Sequence, residues 1–272
     1  MKCELWNPHL EARALAFLQE RYASSLFLLS NFAGFGPSLG ENPNSGNFRV
    51  VLDGERVVAV FVLTRRGNLL VSGEAHPLIL ADAREDGLPI RGVIGGWEIA
   101  SAVWAELGSE TCSFSSREHL YQLGGLPPAG SDPHVRFLTC ADYPAWRPFR
   151  RAYLAEEGLS NDLPEDQLRE GFEKYARARE HWGYFEGDRL VSIASLNAVA
   201  MGIGQVGGVY TEPSRRGKGL SSATMLQMLR DCGSVHSLEK MLLFTGEKNF
   251  AAQKVYERLG FQRIGWFGLF FV

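Results

Sequence analysis

Residues 126–134, LPPAGSDPH, cut this sequence almost in half. Three prolines together with Gly, Ser and Asp suit neither a helix interior nor a central strand, so the stretch reads as a linker or long turn. After it, HVRFLT (134–139) reads as a strand, followed by helical periodicity over 143–157 and again over about 165–180, the second opened by Leu163-Pro164. Residues 181–199 form two strands around the turn EGDR, GIGQVGGVYT (202–211) is a further strand, and a helix covers about 217–232. KMLLFTG (240–246) is a short buried strand, FAAQKVYERLG a helix stopped by Gly260, and FQRIGWFGLFFV a closing strand.

The first half nearly repeats that order. A long helical stretch spans about 8–32, and GNFRVVLDGE and RVVAVFVLTRRG make a hairpin over 46–67. Then come a strand at 68–73, a short helix within 77–86, a strand at 90–96, a helix at 97–108 and mixed strand at 111–123. We read a diverged internal duplication: two α/β domains, each a mostly antiparallel mixed sheet flanked by helices, at 1–126 and 135–272 with a linker at 127–134.

Composition narrows the function. The chain has 272 residues, enough for two domains with real cores, since 45% of residues are apolar and 11% aromatic. A net charge of -3 argues against nucleic acid as a main partner. No apolar run approaches the roughly 20 residues of a membrane span. The start, MKCELWNPHLEARAL, does not read as a signal peptide. Cys3, Cys112, Cys140 and Cys232 form no CxxC pair, so the expectation is no metal, free buried thiols and a cytoplasmic location. Trp97, Trp104, Trp146, Trp182 and Trp266 are dispersed and read mostly as core.

The stretch that carries chemistry is RRGKGLSS, 215–222. A strand ending in a glycine-rich turn that opens a helix is an anion site, because the first amides of a helix lack partners and its dipole is positive there. Gly217 and Gly219 let the backbone approach a phosphate, and Arg215, Arg216 and Lys218 add positive field. A pyrophosphate suits such a turn. The P-loop pattern GxxxxGK[ST] is absent.

Arg216-Gly217-Lys218-Gly219-Leu220-Ser221 resembles the R/Q-x-x-G-x-G/A motif of the GCN5-related N-acetyltransferases, with serine where the family prefers Gly or Ala. VGGVYTEPSRRGKGLSSA (206–223) resembles that family's fourth strand, motif and third helix together. NFAAQKVYERLGF (249–261) resembles its N-x-x-A-x-x-x-Y-x-x-x-G-F segment. In the first half, SGEAHPLIL (72–80) falls at the matching turn without the motif, and Glu74 there would repel a phosphate. RGVIGG (91–96) has Ile94 where the motif needs glycine. The likeness therefore implies two tandem folds of this family, the N-terminal copy degenerate and without cofactor.

It further implies acetyl-CoA as donor, with CoA as product, and direct attack by a primary amine of a small molecule or peptide. Backbone amides over 216–221, Leu220 and Ser221 included, would hold the pyrophosphate, and backbone of Gly208, Val209 and Tyr210 would aim the thioester and stabilise its oxyanion. Tyr256 takes the family's general-acid position, and Asn249 caps its helix and contacts the cofactor. Glu212, Glu156 and Glu157 are candidates for the base that deprotonates the ammonium, with His181 as a further candidate shuttle. Two other readings remain open: a non-catalytic module that senses acyl-CoA or docks a partner, and a transferase for a longer acyl-CoA. The N-terminal half is expected to wall off part of the acceptor cleft.

Overall fold

The structure is a computed structural model that describes residues 1–108, 112–159 and 163–272. Its elements in chain order are β1 (Lys2–Leu5), α1 (Pro8–Glu20), α2 (Tyr22–Phe35), β2 (Gly46–Asp53), β3 (Arg56–Thr64), β4 (Asn68–Gly73), α3 (Leu78–Arg84), β5 (Gly92–Gly96), α4 (Trp97–Leu107) and β6 (Phe114–Gly124). The second half follows with β7 (Val135–Phe137), α5 (Tyr143–Glu156), α6 (Glu165–Arg177), β8 (His181–Glu186), β9 (Arg189–Ala200), β10 (Ile203–Thr211), α7 (Leu220–Ser234), β11 (Lys240–Gly246), α8 (Phe250–Arg258) and β12 (Gln262–Phe271). Each half reads βααβββαβαβ, so the expected repeat holds in full. The first strand was not legible in KCEL, which is too short for an alternation to stand out. The helical stretch at 8–32 is two helices, broken at Arg21. Thr111, the first residue of the strand expected at 111–123, lies outside the described residues.

The chain packs as two compact units. Unit 1 takes residues 1–120, 244–248 and 263–272, and unit 2 takes 121–243 and 249–262. The units are therefore not consecutive halves cut at the proline-rich seam. The closing strand, expected in the second domain, pairs antiparallel with β5, from Phe267↔Gly96 to Phe271↔Gly92. Its aromatic rings explain the choice. The sequence GVIGG leaves β5 with gaps, and a Cβ on Gly92 would meet the Phe271 ring. Phe270 stacks on Trp104 and leans on Trp97 of α4. Aromatic side chains across from glycines fill volume that β5 cannot supply.

In unit 1, β1 to β4 pair antiparallel in sequence order, and β4 pairs parallel with β5. A core of Phe61, Leu63, Leu69 and Val71 from the sheet meets Ile79 of α3 and Ile99 and Val103 of α4. One buried ion pair braces it: Arg49 of β2 donates two 2.8 Å bonds to the Asp86 carboxylate beyond α3, with side chains only 5% and 3% exposed.

Unit 2 orders its strands β11-β10-β9-β8-β7. Alternation along the strands sends Trp182, Ala194, Leu196 and Val206 to one face, against Met225, Met228 and Leu229 of α7. Leu190, Ile193 and Tyr210 go to the other, against Trp146 of α5 and Phe172 of α6. Helices thus cover both faces. Of the tryptophans read as core, Trp146 and Trp182 are buried and Trp97, Trp104 and Trp266 only partly so. Among the four free cysteines only Cys232 is buried. Cys3 is half-buried, and Cys112 and Cys140 are exposed, so the expectation of buried thiols fails for those two. Among the described residues no helix is long and apolar enough to cross a membrane.

Candidate functional site

The site grows from the way β10 leaves its neighbour. β10 pairs parallel with β11 only at Ile203↔Lys240, Gly204↔Met241 and Gln205↔Leu242. Beyond that, Val206–Thr211 of β10 continues as strand without pairing to β11. On its other edge β10 carries a bulge. Gly207 faces Ser195 and Tyr210 faces Ile193, so three steps on β10 oppose two on β9. Gly208 makes this possible with φ +60°, a left-handed conformation that suits glycine. The bulge falls on Gly208 and Val209, the residues expected to aim a thioester.

After β10 the chain makes a short turn over Pro213–Arg215 and then the glycine loop. Gly217 and Gly219 both take left-handed φ, +77° and +79°, and Gly219 is the N-cap of α7. A Cβ at either would meet no atom within 4 Å. The loop from Arg216 to Gly219 is exposed. Hydrogen bonding resumes with Ala223 N–H donating to the Gly219 carbonyl. Among the described residues, the amides of 217–222 find no acceptor and no side chain caps the helix. Six consecutive unpaired amides at a helix start form a donor array of the kind that holds phosphate oxygens. The helix therefore begins at Leu220, three residues later than periodicity suggests, because residues 217–219 form the glycine loop that holds the first half of the array.

The arginines of the motif are engaged elsewhere. The Arg216 guanidinium clasps both Glu156 oxygens at 2.7 and 2.8 Å and donates through Nε to the Thr211 carbonyl at 3.0 Å. Arg215 pairs with Glu186 at 3.0 Å. Lys218 is exposed and makes no ion pair among the described residues. Tyr210 is buried, packs edge-on against Phe149, and has its pKa raised by burial and then by the Glu156 carboxylate.

Asn249 caps α8, its side chain accepting from the Ala252 amide at 3.2 Å. Tyr256 on α8 is buried in the core of unit 2, its ring between Tyr121 and Phe261 at 6.3 and 6.2 Å. The three carboxylates considered as base differ. Glu212 accepts from Arg189 and from the Ser214 hydroxyl, and Glu156 is taken by Arg216. Glu157 makes no ion pair among the described residues, and burial, then the neighbouring Glu156 charge, raises its carboxyl above the ordinary range. His181 is buried, its Nδ1 lies 2.6 Å from Ser195 Oγ, and burial helped by Arg150 pushes it down to about 3. It is neutral at physiological pH and too weak a base for a proton shuttle.

Sequence reasoning missed Arg150 and Ser195. A signal for the first existed: Arg150 stands one turn after Trp146 and one turn before Leu154, a cation on the buried stripe of α5.

Residues 145–261 match the model of the acetyltransferase (GNAT) family. No curated protein matches the sequence. Solved structures share the fold over nearly the whole chain. A Drosophila protein aligns with a TM-score of 0.69 at 12% identity, over 99% of this chain and 98% of that one. A GCN5-related N-acetyltransferase from Sphaerobacter thermophilus reaches 0.59 at 15% identity, over 99% and 94%. A GNAT-family acetyltransferase from Colwellia psychrerythraea reaches 0.54 at 15% identity, over 100% and 99%. The bulge and the amide array fall within this segment, which is less than half of the chain and is similar to the acetyltransferase (GNAT) family.

Proposed function

We propose that unit 2 binds acetyl-CoA along β10 and at the start of α7 and transfers the acetyl group to a primary amine by direct attack, with both substrates bound together. The observation that carries this reading is the array of amides at 217–222, which find no acceptor among the described residues and stand at the start of α7. Such an array suits a pyrophosphate. Acetyl-CoA brings the activated thioester, and the chain does the rest. Backbone N–H at the Gly208–Val209 bulge and at Tyr210 would donate to the thioester oxygen as charge gathers there. The amine nitrogen bonds the carbonyl carbon, the carbon–sulfur bond breaks, and the thiolate takes a proton from the Tyr256 hydroxyl. The ammonium must first lose a proton. Glu157 suits that step better than Glu212, because no arginine holds it and its raised carboxyl accepts a proton more readily. Unit 1 has no role in holding the donor.

Calorimetric titration of acetyl-CoA into the full chain tests the reading. One site per chain supports it, two sites would give unit 1 a cofactor site, and none would sink it. Binding without CoA release across a broad amine panel would leave a sensor of acyl-CoA instead. Competition among acyl chain lengths settles the donor.

A further inference from the structure

Two bulges sit side by side in unit 2, one on each strand of the β9–β10 pair. That on β10 falls at Gly208 and Val209. On β9 the register steps from Ala198↔Gln205 to Leu196↔Val206, so Asn197 is the extra residue. A bulge re-aims the side chain it carries. Here it lays the Asn197 carboxamide over Gly207. A Cβ on Gly207 would stand 2.6 Å from Asn197 Oδ1 and nearer still to Cγ and Nδ2, and these are the three atoms it would meet first. Gly207 has no left-handed φ, so its backbone alone would accept a side chain. What the missing side chain makes room for is the Asn197 amide.

That amide lies beside the site. A Cβ stands about 1.5 Å from its Cα, which puts Oδ1 within about 4 Å of the Gly207 Cα, and the Gly208 Cα is about 3.8 Å further along the chain. Asn197 is exposed, and its side chain makes no hydrogen bond among the described residues.

The amide also lies on the face from which an amine can approach. Val206 points to the α7 side and is buried with Met225, Met228 and Leu229, and Val209 packs against the same core. A Cβ on Gly204 would point there too, onto Leu196, Leu238 and Met241. By alternation Gln205 and Gly207 point the other way, as Tyr210 does past the bulge. A Cβ on Gly208 would join them, 3.6 Å from Ser195 Oγ. Between Gln205 and Tyr210, then, β10 carries no side chain on this face. An amine attacking a thioester laid along the strand meets packed core from the α7 side and bare backbone from this one.

The polar groups on this face suit a ligand that brings N–H. Gln205 is 3% exposed, and its Nε2 donates to the Val206 carbonyl, which leaves Oε1 buried without a donor among the described residues. Leaving a buried acceptor unmet costs about 1–3 kcal/mol. Asn197 Oδ1 is a second acceptor without a donor. A primary ammonium carries three N–H donors and no acceptor.

We propose that Asn197 holds the amine of the acceptor, its Oδ1 accepting a hydrogen bond from the nitrogen that attacks the thioester. This rests on the reading of unit 2 as an acyltransferase. Gly207 is the residue that seats Asn197.

The test is CoA release by the full chain at saturating acetyl-CoA, with an amine that the wild type turns over. Asn197→Ala should lower kcat/KM for the amine by about tenfold or more, the worth of a hydrogen bond to a charged group, with acetyl-CoA affinity unchanged by calorimetry. Gly207→Ala should do the same by displacing the amide. The double variant should be no worse than the single ones, because both remove one contact. Asn197→Asp sets a negative charge beside the ammonium and strengthens its hold on its proton, so the rise of kcat with pH should move to higher pH. An asparagine that serves only the fold would leave that profile where it is. Asn197 is exposed, and circular dichroism confirms that its variants fold. Unchanged kcat/KM in Asn197→Ala, additive losses in the double variant, or an unshifted profile in Asn197→Asp would each overturn the proposal while the acyltransferase reading stands. If no amine releases CoA from the wild type, that reading has itself failed and the proposal falls with it.

Discussion

Replacing Gly219 by glutamate puts the amide array to its hardest test. Gly219 has φ +79°, and a Cβ there would touch nothing within 4 Å, so no clash arises. The conformational cost for a residue with a side chain is about 1–2 kcal/mol. Alanine carries the same cost without charge and serves as control. The glutamate also brings a carboxylate to the array. At about 5 Å from a pyrophosphate charge, repulsion is about 1 kcal/mol in water and about 3 kcal/mol at the effective dielectric of a protein surface. Affinity for acetyl-CoA should therefore fall by about 5- to 150-fold relative to Gly219→Ala. Calorimetry reads the affinities directly, with circular dichroism to confirm that both variants fold. Equal affinities in the two variants would refute the placement of the pyrophosphate at this loop.

Four further outcomes follow from the structure. Arg216→Ala should weaken acetyl-CoA binding only about fivefold or less by the same calorimetry, since Glu156 and the Thr211 carbonyl already occupy its guanidinium. Tyr256→Phe should lower kcat by about 100-fold or more with acetyl-CoA affinity unchanged, if its hydroxyl protonates the leaving sulfur. Asp86→Ala should cost about 3–5 kcal/mol in urea unfolding, because it strands Arg49 without its buried partner. His181 is held neutral among Arg150, Ser195, Tyr175, Trp146 and Phe172, with its pKa at about 3 against an ordinary 6.5. A depressed pKa contributes stability that is complete above 6.5 and is lost as pH falls toward 3. Urea unfolding from neutral pH downward should show that loss in the wild type and a shallower one in His181→Asn.

Much of this was legible in the sequence, because strands and helices here announce themselves locally. DGE and EGDR fix two hairpins, Gly260 stops a helix, and apolar spacing marks α7. What stayed hidden depends on partners far along the chain. Nothing local in FQRIGWFGLFFV says that its rings fill the glycine gaps of β5 rather than pair beside β11. The glycine loop was readable as an anion site, yet its arginines looked free when Arg216 is clasped by Glu156, 60 residues away. A salt bridge between distant residues leaves no spacing to read. The same blindness hid the role of His181, whose neutrality is set by burial and by Arg150 from another element.

The two units show why a repeated fold need not repeat a site. Both contain a parallel pair of strands followed by a helix, the arrangement that places a cleft at the strand ends. In unit 2 the pairing of β10 with β11 stops at Gln205↔Leu242, leaving six residues of β10 without a partner on β11. In unit 1 the pairing of β4 and β5 runs on to Val71↔Gly95, leaving two residues and one. Gly95 sits so close to the Val71 carbonyl that a Cβ there would strike it, so the strands are zipped where the others part. The helix that follows is α3, with seven residues and Pro77 at its N-cap, against fifteen and Gly219 in α7. A short helix has a weak terminal field, and proline removes a donor. From the absent motif in SGEAHPLIL, the longer strand pairing and the short helix we propose that unit 1 binds no acyl-CoA. An equilibrium dialysis of acetyl-CoA against the Gly219→Glu chain checks this, with residual tight binding as the outcome that would contradict it.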